Sequence, residues 1–464
     1  MTDVTFTDHE GRRADGGRAV RPASRWRFVP AVALTAVIGV LVGRFAFLDP
    51  APPTETVFVT VNPSPAAQLA ALEARLEVRP DDLDALQRIG VVAVTEGIES
   101  GDLTLFARAD AAIATAEQLA PEAFATRYAR ASLALTLHRF DEALEHGRVA
   151  VAANPFSAEA LGVVVDAQVE LGLYDAAAAD LQRMLDLDPG LPALARTSYL
   201  RELHGDLPGA LQAMQQAEAA GAPSGFRTAV TAALVGDLHL RLGQVDDAEG
   251  AYARAEAASP GLIAAALGAI RVDVARGDLA GATEAAATLV ESGPSAVTAT
   301  LLADLLRLQG RTAEAERSEA VVRANFADEE AVGHLTELDR ARFEADRAAD
   351  AAGAARAADL ARIAHGIRPE NVLANDTLAW ALTLAGDQTA VADHARAAIR
   401  LGPVDPTFLV HAAAALHASG DDAEATTMLA RALEEAPWFS LSALRPAQDL
   451  AAALGVAVPD AWQL

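Results

Sequence analysis

Side chains that could carry out chemistry are present in this 464-residue chain, but the spacings that known catalytic and metal sites need are missing. The chain has no cysteine, which excludes disulfides, thiolate metal ligands and cysteine nucleophiles. It has no lysine either, so the phosphate-binding motif G-x-x-x-x-G-K-[ST] cannot occur, and H-E-x-x-H and G-x-S-x-G are also absent. We therefore predict a protein that is not an enzyme and that carries no cofactor and no bound metal.

The ten histidines and the acidic pairs do not form a site by their spacing. His411 and His417 lie six residues apart on one predicted helix, so they do not share the i, i+4 face that a metal-binding pair requires. The pairs at 246–247 and 421–422 fall where helices are predicted to begin, and carboxylates there cap the free backbone N–H groups. We interpret these residues as solvated, packing or capping groups.

A 34-residue interval organises most of the chain. Prolines recur at this interval as Pro121, Pro155, Pro189 and Pro223, as Pro260 and Pro294, and as Pro369, Pro403 and Pro437. A glycine stands 17 residues before most of these prolines, and an alanine usually follows that glycine by five residues. Alanine supplies roughly a quarter of the sequence, favours helices and lets them approach closely, while the alternation typical of strands is missing. We predict an all-α fold.

This interval and its fixed residue types resemble the tetratricopeptide repeat (TPR), a helix–turn–helix unit. In the unit that ends at Pro260, Gly236, Ala248 and Ala255 occupy the small-residue positions of the family, and Tyr252 occupies the aromatic position. Larger side chains at the small positions would hold the two helices apart. The resemblance implies an α-solenoid of about ten TPR-like helix pairs over residues 66–437, with a C-terminal capping helix and tail at 438–464.

Two units depart from the regular length. Extra residues occur near 97–106 and within 327–369, and insertions in repeats often carry function. An enzyme with a site in one of these irregular repeats is therefore one alternative to a binding protein. A structural spacer that binds nothing is the other. In a regular solenoid, Ala248 and Ala282 are expected to be buried between helices.

One segment is apolar enough to span a membrane. Residues 28–48 contain a single charge, Arg44, and as a helix they can cross a hydrocarbon core of about 30 Å. The basic tail at 1–27 is predicted to be disordered and cytoplasmic, and the positive-inside rule then places the solenoid outside the cytoplasmic membrane. The proline-rich residues 49–65 are predicted to form an extended linker. Cleavage of the apolar segment as a signal peptide stays open.

The net charge of −27 limits the choice of partners. So acidic a chain repels phosphate backbones, because nucleic-acid binding requires a basic stripe. The sequence thus predicts no nucleic-acid partner. The remaining candidates are the membrane, contacted through residues 28–48, and a protein or peptide of unknown identity.

The TPR resemblance also implies a concave groove lined by the first helix of each pair. Mapped by register, its candidate protein-binding residues are Tyr128, Asp166, Asp237, Arg271, Asp304, Arg307, Arg342, Asp346, Asp376, Trp380 and His417. The mixed charges suit a peptide or helix with both basic and acidic patches. Trp380 is the preferred contact, although a register shift of one residue would make it a core residue. We predict a membrane-anchored TPR scaffold for protein–protein interaction or complex assembly.

Overall fold

The computed structural model describes residues 64–221, 225–388, 390–403 and 405–463. Within these ranges the chain forms 22 α-helices and a few 3-10 turns, and no strand. The predicted all-α fold is confirmed. The predicted spanning segment at 28–48 and the basic tail lie outside the described residues, as does nearly all of the linker. Among the helices that are described, none combines the length and the hydropathy that a bilayer crossing needs.

One leading helix, α1 (Pro65–Val78), precedes ten consecutive helical hairpins. The first five are α2 (Leu83–Ser100) with α3 (Thr104–Leu119), α4 (Phe124–Thr136) with α5 (Phe140–Ala153), α6 (Ala158–Glu170) with α7 (Tyr174–Leu187), α8 (Leu191–Leu203) with α9 (Leu207–Ala220), and α10 (Phe226–Arg241) with α11 (Val245–Ala258). The last five are α12 (Ile263–Ala275) with α13 (Leu279–Ser292), α14 (Ala296–Leu308) with α15 (Thr312–Ala331), α16 (Glu337–Asp346) with α17 (Ala351–Ile367), α18 (Val372–Ala385) with α19 (Val391–Ala398), and α20 (Pro406–Ala418) with α21 (Asp422–Glu434).

Small residues allow the helices of neighbouring hairpins to nest. The ring of Tyr252 on α11 lies between the backbones of α10 and α12, at Gly236 and Gly268. A Cβ added at Gly236 would lie 2.6 Å from the ring atom Cε1 of Tyr252, and a Cβ added at Gly268 would lie 2.1 Å from the same atom. Ala248 and Ala282 are fully buried, which confirms the expectation for a regular solenoid. The missing side-chain volume therefore sets how closely successive helices pack.

The array closes on itself, so the side formed by the first helices of the hairpins, here called the inner face, is covered. Leu335 N donates a hydrogen bond to the carbonyl oxygen of Leu137 at 3.0 Å, about 200 residues earlier in the chain. Arg368 Nη1 donates to Glu170 Oε2 at 2.9 Å, in a buried ion pair. Asn371 Nδ2 donates to the backbone oxygen of Glu170 at the same distance. The C-terminal hairpins thus lie against earlier ones.

Contacts further along the chain extend this closure. Arg241, at the end of α10, pairs with Asp405 at 3.0 Å, just before α20 begins. Phe439 follows the last hairpin, and its ring lies under the guanidinium groups of Arg241 and Arg271, each 4.7 Å from the ring centroid. The chain from Leu335 onward therefore contacts the second, third, fifth, sixth and seventh hairpins.

The C-terminal tail packs on the last hairpin. Two 3-10 turns (Pro437–Phe439 and Leu441–Ala443) lead into α22 (Leu444–Leu454). The fully buried Trp462 donates from Nε1 to the carbonyl oxygen of Glu435 at 3.1 Å. These contacts join the end of the chain to the solenoid.

The turn glycines Gly172 and Gly243 provide a test of the closure. Both adopt left-handed backbone, with φ of 79° and 72°, so alanine at either position should cost about 1 kcal/mol of stability. A Cβ at Gly172 would also lie 2.2 Å from the carbonyl carbon of Glu370, whereas a Cβ at Gly243 meets nothing within 4 Å. We expect Gly172→Ala to lower the melting temperature more than Gly243→Ala, and to increase the radius of gyration measured by X-ray scattering. Equal effects of both variants would contradict the closed array.

Candidate functional site

The structure divides the eleven predicted groove residues into two groups. Six of them line one cavity of about 220 Å³ between the inner face and the C-terminal hairpins: Arg271, Asp304, Arg342, Asp346, Asp376 and Trp380. The other five lie elsewhere: Tyr128, Asp166, Asp237, Arg307 and His417. The cavity, here called the inner chamber, is bounded by α12, α14, α16, α18 and α20 and by the two 3-10 turns. The groove surface is therefore mostly interior, and the role of these residues in binding stays a prediction.

Trp380 forms one wall of the inner chamber. Its indole ring stacks on the ring of His411, with centroids 4.4 Å apart and planes 5° apart. Its Nε1 donates to Asp346 Oδ1 at 3.2 Å. The side chain is only 7% exposed because the chain's own C-terminal hairpins cover it. Other residues of the same chain therefore shield Trp380 from solvent.

Two carboxylates of the chamber are held by cationic partners. Asp376 lies 3.1 Å from His411 Nδ1; burial opposes protonation of His411, but Asp376 outweighs it and the pKa of this imidazole is raised. Asp304 accepts from Arg347 Nη2 at 2.6 Å, and burial still raises the pKa of Asp304 to about 6. Arg347 also lies over the ring of Phe343, 4.2 Å from its centroid. Both carboxylates are thus occupied within the fold.

Arg271 and Arg342 differ from these paired groups. Neither forms a hydrogen bond, or an ion pair within 4 Å, with any other residue that the structure describes. Arg271 is 9% exposed, and its burial lowers its pKa while the more distant Asp237 partly offsets this effect. Arg342 is half-buried. Both line the inner chamber, so their guanidinium donors are available there.

The five predicted residues outside the chamber make contacts within the array. Tyr128 is buried in the core beside Phe124, and burial raises the pKa of its hydroxyl to about 12. The remaining four pair with neighbouring side chains: Asp166 with Arg196 at 2.7 Å, Asp237 with Tyr252 at 2.7 Å, Arg307 with Glu319 at 2.6 Å, and His417 with Asp422 at 2.7 Å. These contacts connect helices of the same or adjacent hairpins.

Several chamber residues were not predicted. Asp339 and Arg347 belong to the irregular unit at 327–369, where the extra residues shift the register. Trp438 and Phe439 lie in the segment predicted as a cap, and they fold back onto the inner face instead of only covering the last hairpin. In the sequence, only the extra length of the unit at 327–369 indicated that this part of the chain differs from a regular repeat. Among the described residues no group of three His, Asp or Glu side chains could hold a metal ion.

A second feature lies on the outside of the first half of the array. Four consecutive turns, each joining one hairpin or leading helix to the next, expose a large apolar side chain: Val78, Leu119, Phe156 and Leu187. We call these four residues the turn row. Phe156 and Val78 are 81% and 80% exposed. Exposed acidic residues adjoin the turn row, namely Glu77, Asp81, Glu122, Asp186 and Asp188.

Comparisons with solved structures find helical-repeat proteins. A tetratricopeptide repeat protein from Parabacteroides merdae is 17% identical, covering 51% of this chain and 91% of its own, with a TM-score of 0.40. A TPR protein from Thermus thermophilus is 22% identical, covering 45% and 99%, with a TM-score of 0.33. A chain of the Cut9–Hcn1 hetero-tetramer of the APC/C is 15% identical, covering 84% of each chain, with a TM-score of 0.41. No family model matches the chain, and no curated protein does.

The buried carboxyl group of Glu329, near the closure, predicts a dependence of stability on pH. Burial raises the pKa of Glu329 to about 8, with Asp339, Glu330 and Asp328 adding to the shift, and His334 Nδ1 lies 3.5 Å away. Because this pKa exceeds the unfolded value, the native state binds the extra proton, and stability falls as pH rises from about 4.5 to about 8. We expect Glu329→Gln to raise the melting temperature at pH 8 and to flatten its decline between pH 5.5 and 8.

The adjacent Glu330 is the matched control for Glu329→Gln. Hydrogen bonds from Thr336 and Arg340 outweigh its partial burial and lower its pKa, so it titrates below this pH range. Glu330→Gln should therefore keep the wild-type slope between pH 5.5 and 8. A Glu329→Gln variant that keeps the same slope would show that this carboxyl is ionised in the native state.

Proposed function

We propose that the chain is a non-catalytic scaffold of the TPR type that binds a protein partner through the turn row. The observation that supports this proposal is the exposure of a large apolar side chain at each of four consecutive turns. Val78, Leu119 and Leu187 each stand two residues before the proline that ends a helix, and Phe156 directly follows such a proline. The repeat thus places apolar anchors along one edge of the array.

The turn row is unusual on this surface. Single exposed apolar residues are normal in soluble domains, whereas here a large apolar side chain is exposed at each of four successive turns. Within the described ranges, Leu173 and Ile363 are the other large apolar residues with comparable exposure, and neither lies at a turn between hairpins. Aromatic and aliphatic anchors of this kind form the energetic centre of many protein interfaces.

The charge near the turn row indicates the chemistry of the partner. Exposed carboxylates adjoin three of the four turns, and the whole chain carries a charge of −27. Such a field attracts basic surfaces and accelerates their encounter with the protein. The partner we propose is a protein segment with apolar side chains between arginine or lysine residues. A partner in the predicted groove would first have to displace the C-terminal hairpins from the inner face.

We further propose that residues 28–48 anchor the scaffold in the cytoplasmic membrane, with the solenoid on the outer side. The support is the apolar run and the arginine-rich segment before it. A reporter enzyme that is active only outside the cytoplasm, fused after Leu464, should be active in cells, and a reporter active only inside the cytoplasm should be inactive at the same position. The reverse pattern would exclude this orientation.

Charged substitutions in the turn row test the proposed interface. The double variant with Phe156→Asp and Leu187→Asp should reduce capture of a protein partner from membrane extracts at least tenfold, because it removes two apolar anchors and adds repulsion for a partially buried contact. Ile363→Asp is the matched control, since Ile363 is 54% exposed on a helix outside the turn row. Capture that falls equally in both variants, or in neither, would rule out the turn row as the binding surface.

A further inference from the structure

We propose that the inner chamber binds a small aromatic carboxylate, with its anionic group at Arg271 and Arg342 and its ring among the aromatic walls. The geometry that points to this ligand is one cavity lined both by two arginines that form no hydrogen bond or ion pair with a described residue and by the side chains of Trp380, Phe343 and Phe439. This inference does not depend on the turn row, which lies on the outside of a different part of the array.

The size of the chamber limits the ligand. Its volume is about 220 Å³. An apolar cavity of about 150 Å³ in another protein holds a benzene molecule. The chamber therefore has room for one aromatic ring and a carboxylate. Because the C-terminal hairpins cover the inner face, it does not have room for a peptide segment.

Three carboxylates of the chamber are engaged by neighbouring side chains, whereas two of its arginines form no hydrogen bond with a described residue. Asp304, Asp346 and Asp376 each accept a hydrogen bond from, or pair with, a neighbouring side chain. Arg271 is more than nine-tenths buried and Arg342 is half-buried, and neither guanidinium donates a hydrogen bond to a described residue. A carboxylate matches the planar fork of a guanidinium, and the charge-assisted hydrogen bonds between them are stronger than those between neutral groups.

The walls suit a flat apolar body. The indole of Trp380 is held by its stacking on His411, and Phe343 is fixed beneath Arg347. The ring of Phe439 contacts two guanidinium groups, one of which belongs to Arg271. These rings are positioned before any ligand enters, so an aromatic ligand would not have to order them.

Benzoate and benzamide test the proposal because they have nearly the same shape and differ in charge. With the full chain in detergent, calorimetry should show that benzoate binds at least tenfold more tightly than benzamide, as expected for charge-assisted hydrogen bonds. Arg271→Gln should reduce benzoate affinity at least tenfold and leave benzamide affinity unchanged. Equal binding of the two compounds to the wild type, or no binding of benzoate, would overturn the proposal.

Arg276→Gln is the matched control on the same stretch of chain. Arg276 directly follows α12, is partly exposed, and pairs with Asp246 and Glu249 outside the chamber. This variant should bind benzoate like the wild type, and a tenfold loss here would overturn the assignment of the anion to the chamber. If Arg271→Gln fails to fold by circular dichroism, Arg342→Gln replaces it, since Arg342 is half-buried and makes no ion pair with a described residue. Unchanged benzoate affinity in a folded Arg342→Gln variant would also overturn the assignment.

Discussion

The backbone contact between Gly172 and Glu370 is the constraint on which the rest of the molecule depends. A single added carbon at Gly172 would overlap the peptide group of Glu370, so the two segments touch as closely as main chains can. Five hairpins lie between the two segments, so any error in the rotation of one hairpin relative to the next accumulates before this contact can form. The small residues between helices, such as Gly236 and Gly268, are what permit that rotation.

Closure changes the environment of the inner face from solvent to protein interior. Charged side chains on first helices, which an open solenoid would leave hydrated, must then be paired or lose their charge. Most are paired, as Glu170 is with Arg368 and Arg241 is with Asp405. Pairing does not remove the cost of burial, because burial still raises the pKa of Glu170 to about 7 although Arg368 pairs with it. Burial has the opposite effect on a cationic group, and it lowers the pKa of Arg271 in the chamber.

The sequence predicted the elements well because their causes are local. Proline after a helix, glycine in the left-handed turn and alanine at the helix contact act within one repeat, and they led to ten hairpins and a buried Ala248. The covered groove was not predictable in this way. Its cover comes from residues such as Asn371 and Phe439, which reach the inner face only after rotations that no single repeat encodes. Arg347, which directly follows the first helix of its long unit, was not predicted, and Trp380, which was predicted to line an open groove, is only 7% exposed.

The separation in sequence between Glu170 and Arg368 also has a consequence for biosynthesis. The first hairpins can form from neighbouring contacts as soon as they are made, but the partner of Glu170 is synthesised 198 residues later. At about 5 to 20 residues per second, the first hairpins spend roughly 10 to 40 s with their charged first helices uncovered. The nascent chain therefore passes through a stage in which it is an open spiral, and a ligand or chaperone present at that stage meets a surface that the finished protein no longer offers.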